Sequence, residues 1–158
     1  MDPNEKRLYL LLNKHLTEPK LMPSAILSIL KESSNAPKLV LDVIQVSFHQ
    51  QLKLQMGFEE SFLRWSTLLL KQLKQISPSI DPKVREDALK LAVDWKLDMK
   101  SDANDYLDVV GFLQLIASYG LTTSFSEEEI LKLFEKIVLH EQASELCLMF
   151  GYNQKIQG

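Results

Sequence analysis

The stretch GFLQLIASYGL, residues 111 to 121, places Gln114 and Ser118 one helical turn apart among Phe112, Leu113, Leu115, Ile116 and Tyr119. Side chains at i and i+4 share a helix face, so this pair could hold a small polar ligand inside a bundle. Catalysis would also need a base, a nucleophile or an oxyanion donor converging on the same point. Neither the stretch nor its flanks supply one, and a serine inside a helix commonly bonds its own upstream carbonyl. The pair is expected to be part of a packed rib. Interior Gly111 costs a helix about 1 kcal/mol relative to alanine and is expected to permit close approach of a neighbouring helix.

The other chemistry-bearing residues are equally isolated. His15, His49 and His140 lie far apart, with no HExxH or paired Cys/His spacing, and metal ligation needs several such groups converging in space. They are expected at helix ends or on the surface. Cys147 sits in ELCLMF, an apolar setting that favours a buried, inert thiol over a reactive thiolate. Glu127, Glu128 and Glu129 point in different directions from a helix start, where acids complement the dipole. SDANDYLD carries three aspartates but lacks the glycine and terminal glutamate of a calcium loop, and reads as linker and cap. No phosphate-binding glycine loop, GxSxG elbow or dinucleotide fingerprint occurs. No catalytic, metal or cofactor-binding residue is assigned. Phe58, Phe125 and Tyr152 stand beside glycines or in connections, where an aromatic either staples a helix end or protrudes to anchor a partner.

Charge narrows the partners. Residues 1–79 hold 10 Lys/Arg and 7 Asp/Glu, a net +3, whereas residues 80–158 hold 8 and 14, a net −6. Only three arginines occur (Arg7, Arg64, Arg85), and no run of Lys/Arg exceeds two, which disfavours direct nucleic-acid binding. A single cysteine leaves no intrachain disulfide and suits a reducing compartment. No stretch approaches the roughly 18 apolar residues that span a bilayer, and MDPNEKRLYLLLNKH lacks the apolar core of a signal peptide. These features predict an intracellular protein.

The elements that must position these residues are helices. The 158 residues fit one domain, expected over 1–158, with residues 1–35 packing on the same core. With five glycines and six prolines there are few breakers, and nearly every segment carries helical periodicity. Leu8, Leu11, Leu12 and His15 mark the first helix; Ile26, Leu27 and Leu30, after Pro23, the second. Asn35 or Ala36 caps a third, with Pro37 near N1 and apolar residues at 40, 41, 44, 48 and 52 before Gly57. A fourth runs from about Glu59 to Gln75 on a stripe of Phe62, Trp65, Leu69 and Leu73. Asp81 and Pro82 read as N-cap and N1 of a fifth, whose face is Val84, Ala88, Leu91, Ala92 and Trp95. Both tryptophans are expected in the core. Tyr106, Val109, Val110, Leu113, Ile116 and Ala117 trace a sixth helix that Gly120 ends. Ser126 and Glu129 have capping-box spacing for a seventh, with Ile130, Leu133, Phe134 and Ile137, and a short eighth spans about Glu141 to Phe150. The fold class is all-α, a multi-helix bundle or stacked helical hairpins of about eight helices.

Several phrases together carry a resemblance: APKLVLDVIQ, FLRWSTLLLKQLKQISPSIDPKVREDALKLAVDWK, DVVGFLQLIASYGLTTSFSEEEILKLFEKIV and QASELCLMFGYNQKI. From about Ala36 to the C-terminus the chain resembles the shared domain of the FRIGIDA and FRIGIDA-like proteins of plants. The distinctive blocks run from Ser77 to Lys96, Gly111 to Leu121 and Ala143 to Gly151, in that order. The resemblance implies a nuclear, largely helical scaffold in flowering-time control, assembling with other proteins into a transcription-activating complex at a floral repressor gene. It implies no catalytic residue. The first 35 residues match no pattern of that family, and the coiled-coil or disordered flanks its members carry are missing here, so the chain is expected to be an isolated domain or a fragment of a longer protein.

The function expected is therefore a non-enzymatic protein-interaction scaffold without cofactors, whose partners are transcriptional or chromatin regulators rather than nucleic acid or membrane. Two other classes stand beside it: a nucleic-acid-binding helical domain, and a small-molecule or lipid-binding bundle with a large apolar cavity.

Overall fold

A computed structural model of the chain describes residues 3–13, 22–54, 60–76, 79–99 and 106–138, with Ala143 and Leu146. Among these residues there are seven α-helices and no strand, so the protein is all-α. The helices are α1 (Pro3–Asn13), α2 (Met22–Glu32), α3 (Ala36–Leu54), α4 (Glu60–Gln75), α5 (Pro82–Asp98), α6 (Tyr106–Ser118) and α7 (Glu127–Lys136). Of the eighth helix expected, Ala143 and Leu146 are described, both helical and buried. Backbone packing divides the chain into two units, Met1–Val84 and Arg85–Gly158.

In the first unit α2 packs on α1 and α4, and α3 on α1 and α4. Asn35 is the cap of α3: its Oδ1 accepts the N–H of Lys38 at 3.3 Å while its carbonyl accepts the N–H of Leu39 at 3.1 Å. Pro37 therefore falls one residue inside N1, where an N–H is still dispensable. α3 buries Leu39 and Val43 as well as the expected Val40, Leu41, Ile44 and Phe48. A helix apolar on so much of its circumference must be covered on several sides, which its neighbours α1, α2 and α4 provide.

The buried arc of α4 is wider than the stripe read from periodicity and is displaced from it. Leu63, Ser66 and Leu70 lie in its interior beside Phe62, Leu69 and Leu73. Trp65 falls at the edge of this arc. Contrary to expectation it is only half-buried, its ring meeting Phe62 edge-on at 5.3 Å and 85°. The displacement leaves two hydroxyls inside. Thr67 Oγ1 donates to the carbonyl of Leu63 at 2.9 Å, but Ser66 Oγ is buried and has no hydrogen-bond partner among the described residues. A buried hydroxyl that lacks a hydrogen bond costs about 1–3 kcal/mol, and alanine is the better helix former. Ser66→Ala is expected to stabilise the protein by about 1 kcal/mol, read as a higher urea midpoint, whereas Thr67→Ala destabilises it. A lower midpoint for Ser66→Ala would show that the hydroxyl is satisfied.

The second unit is organised on α6, whose residues 109 to 116, Gly111 included, are all buried. α5 begins as expected: Asp81 Oδ1 accepts the N–H of Lys83 at 3.0 Å, with Pro82 at N1. It buries Val84, Ala88, Leu91, Ala92 and Trp95. On its other side Leu89 is half-buried and Val93 and Leu97 are exposed, so α5 is apolar on two faces. α7 starts at Ser126, whose hydroxyl accepts the N–H of Glu129 at 3.2 Å, and buries Ile130 and Phe134.

Gly120 ends α6 with φ at +67°, and the N–H of Leu121 reaches back to the carbonyl of Ile116 at 2.9 Å. This is the six-to-one bond of a Schellman turn. Arg85 Nη2 donates to the exposed Gly120 carbonyl at 2.8 Å, tying α5 to the turn. A Cβ at position 120 would meet no atom within 4 Å, so substitution costs only the left-handed backbone, about 1–2 kcal/mol. Gly120→Ala should lower the unfolding free energy by that amount. A neutral result would mean the turn can relax to negative φ.

Candidate functional site

Gln114 is fully buried on α6, and among the described residues Ser66 Oγ is the buried polar side-chain atom left unpaired, so Gln114 is not. Ser118 is half-buried at the end of the same helix. The pair is part of the packed rib. Of the histidines, His49 is exposed on α3 with its ring edge against Phe48 at 5.9 Å. His15, His140, Cys147, the SDAND segment, Phe58 and Tyr152 lie outside the described residues. Among the described residues no three His, Cys, Asp or Glu side chains group so as to hold a metal. No described helix is long and apolar enough to cross a membrane.

Phe125 is the anchor candidate whose surroundings are visible. It stands at N′ of α7, just before the Ser126 cap, and is half-buried. Its ring meets Phe112 of α6 edge-on, with centroids 5.4 Å apart and planes at 78°. The Lys96 ammonium from α5 lies over the ring 5.5 Å from its centroid and is also ion-paired with Glu129. The capping box is thus half realised: Ser126 caps the Glu129 N–H, but the Glu129 carboxylate turns to Lys96. An ammonium 33 residues away supplies full opposite charge, which outweighs one neutral backbone N–H. Glu128 pairs with Lys132 along α7 at 3.6 Å. These acids hold helices rather than a ligand.

One layer deeper, Trp95 Nε1 donates to the Asp108 carbonyl at 3.2 Å and to Asp108 Oδ1 at 3.0 Å. Lys96 and Asp108 are the site residues that sequence reasoning missed. Asp108 belonged to a segment taken for linker and cap, and nothing near Lys96 in sequence announces its partners. Together α5, the turn before α7 and the start of α6 form a corner held by a ring pair, a cation over a ring, an ion pair and an indole bond. Phe125 remains partly exposed at its surface.

Across residues 1–158 the chain matches the family model described as Frigida-like protein. It is 33% identical over 140 residues to FRIGIDA-like protein 5 of Arabidopsis thaliana, covering 82% of this chain and 15% of that protein. It is 31% identical over 143 residues to Inactive FRIGIDA-like protein 2 of the same plant, covering 89% and 29%. With FRIGIDA-like protein 3 the identity is 26% over 146 residues, covering 81% and 26%. The chain therefore spans less than a third of the length of these relatives. No solved structure matches it. The family match takes in the first 35 residues, where the sequence alone offered no recognisable pattern. With a family model matched along residues 1–158 and relatives 33% and 31% identical over most of its length, this chain belongs to the FRIGIDA-like family of plant proteins.

Proposed function

We propose that this chain is a non-enzymatic helical scaffold acting in the plant nucleus, in the transcriptional control of flowering time and development. The observation that carries the reading is membership of the FRIGIDA-like family along residues 1–158. The kind of interior described supports it: among the described residues no Asp, Glu, Lys, Arg or His is buried, and Ser66, Thr67, Gln72, Gln114 and Tyr119 supply its polar side chains. A scaffold works by presentation, holding partners near one another and raising their effective concentration. Packed helices suit that task because binding then orders little of the chain. The partners are other proteins, transcriptional or chromatin regulators.

Direct nucleic-acid binding is the less favoured reading. Arg7 is ion-paired with Glu32 at the surface and Arg85 donates to the exposed Gly120 carbonyl, so both guanidinium groups are engaged within the chain. Crosslinking in isolated plant nuclei, with links mapped to residues, tests the proposal. Links to transcriptional or chromatin proteins are expected. Their absence, or duplex DNA binding by the chain that weakens steeply with salt, would overturn it.

A further inference from the structure

We infer that the outward stripe of α5, Leu89, Val93 and Leu97, is a docking surface for a basic amphipathic helix of another protein. The inference rests on the scaffold reading and names the surface and the chemistry of the partner. Leu97 is 78% exposed and Val93 is 42% exposed. With half-buried Leu89 they recur every fourth residue along α5, which places them on one ridge about 12 Å long at 1.5 Å per residue. The core face of α5 is already filled by Val84, Ala88, Leu91, Ala92 and Trp95. Folding of α5 therefore needs nothing from the second stripe.

Helix ridges fit helix grooves. An added β-strand would need a free sheet edge, and among the described residues there is no strand. The partner's charge follows from the flanks. Lys90 lies 4.0 Å from Glu86, and Lys96 is ion-paired with Glu129, so among the described residues the two lysines beside the ridge each have a carboxylate of their own. Asp94 and Asp98 do not: among the described residues neither side chain has an ion-pair or hydrogen-bond partner. The ridge therefore carries an uncompensated acidic edge, within a half of the sequence that is net −6. Lysine or arginine along one side of an apolar helix complements it. A second copy of this chain does not, because antiparallel self-pairing sets one acidic edge against the other.

The test uses the 158-residue chain and two synthetic helical peptides with the same leucine stripe, one edged with lysine and the other with glutamate, titrated by fluorescence anisotropy. The lysine peptide is expected to bind saturably and the glutamate peptide at least about tenfold more weakly. Leu97→Asp should weaken the lysine peptide by about tenfold or more, with the helical circular dichroism unchanged because the site is exposed. Asp94→Lys with Asp98→Lys should reverse the preference between peptides. Equal binding by wild type and Leu97→Asp, no saturable binding, or a concentration-dependent dimer that Leu97→Asp abolishes would each overturn the assignment. If crosslinks in nuclei persist in the Leu97→Asp protein, the α5 surface is wrong and the scaffold reading stands. If even wild type gives none, the scaffold reading itself fails.

Discussion

Trp95→Ala should destabilise the second unit by about 3–5 kcal/mol. Trp95 is among the largest fully buried side chains described, and it lies on the face of α5 that holds Leu91 and Ala92 in the core. Truncation removes the transfer energy of the indole and leaves a cavity that neighbouring helices fill only in part. It also deletes the donor that meets both Asp108 oxygens. Trp95→Phe separates the two contributions, since it keeps most of the ring volume and loses the N–H. A hydrogen bond to a charged acceptor is worth about 1.5–3 kcal/mol, so the phenylalanine variant should lose about that amount, less than alanine loses. The measurement is urea unfolding combined with amide exchange of α6, whose first turn contains Asp108. If Phe and Ala cost the same, the indole bond outweighs the cavity. If neither changes α6 exchange, the tryptophan does not hold α5 to α6.

What the sequence made legible is local. The caps at Asp81 and Ser126 and the stop at Gly120 each depend on residues within a turn or two, so spacing alone predicts them. The core face of α5 was legible for the same reason: Val84, Ala88, Leu91, Ala92 and Trp95 recur with the helical period. Periodicity marks a direction around a helix but not how deep that direction goes. Hence Trp65 was placed in the core, whereas the true centre of the buried arc lies nearer Ser66. The second stripe of α5, Leu89, Val93 and Leu97, was not legible, because apolar residues on two faces of one helix blur its periodicity. Contacts over long separations were illegible in kind. Lys96 meets Glu129 and Phe125 only after three helices have folded, and the spacing that suggested a reciprocal capping box is satisfied on the serine side alone. The division after Val84 falls inside the first turn of α5, just beyond the proline-bearing connection SPSIDP.

Phe112→Ala should cost about 3–5 kcal/mol, and its value lies in what it separates from Phe125→Ala. Phe112 is fully buried on α6, whereas Phe125 is half-buried and touches it edge-on. Removing Phe112 opens a cavity in the rib and strands the Phe125 ring. Removing Phe125 loses the ring pair and the seat of the Lys96 ammonium, contacts worth about 0.5–1.5 and 0.5–1 kcal/mol respectively. The Phe125 variant should therefore lose less than the Phe112 variant, by at least about 0.5 kcal/mol. The double variant should fall short of their sum by about 0.5–1.5 kcal/mol, the coupling of the pair. A staple and a partner anchor predict different patterns from there. If Phe125 only fastens the entry to α7, the crosslinks that Phe125→Ala loses in plant nuclei are lost in proportion to stability, as with Phe112→Ala. If Phe125 is also an anchor, Phe125→Ala loses crosslinks while stability falls little, because aromatic anchors carry binding energy out of proportion to their number. Full additivity of the two substitutions would show that the edge-on contact contributes nothing and that each ring is held by other neighbours.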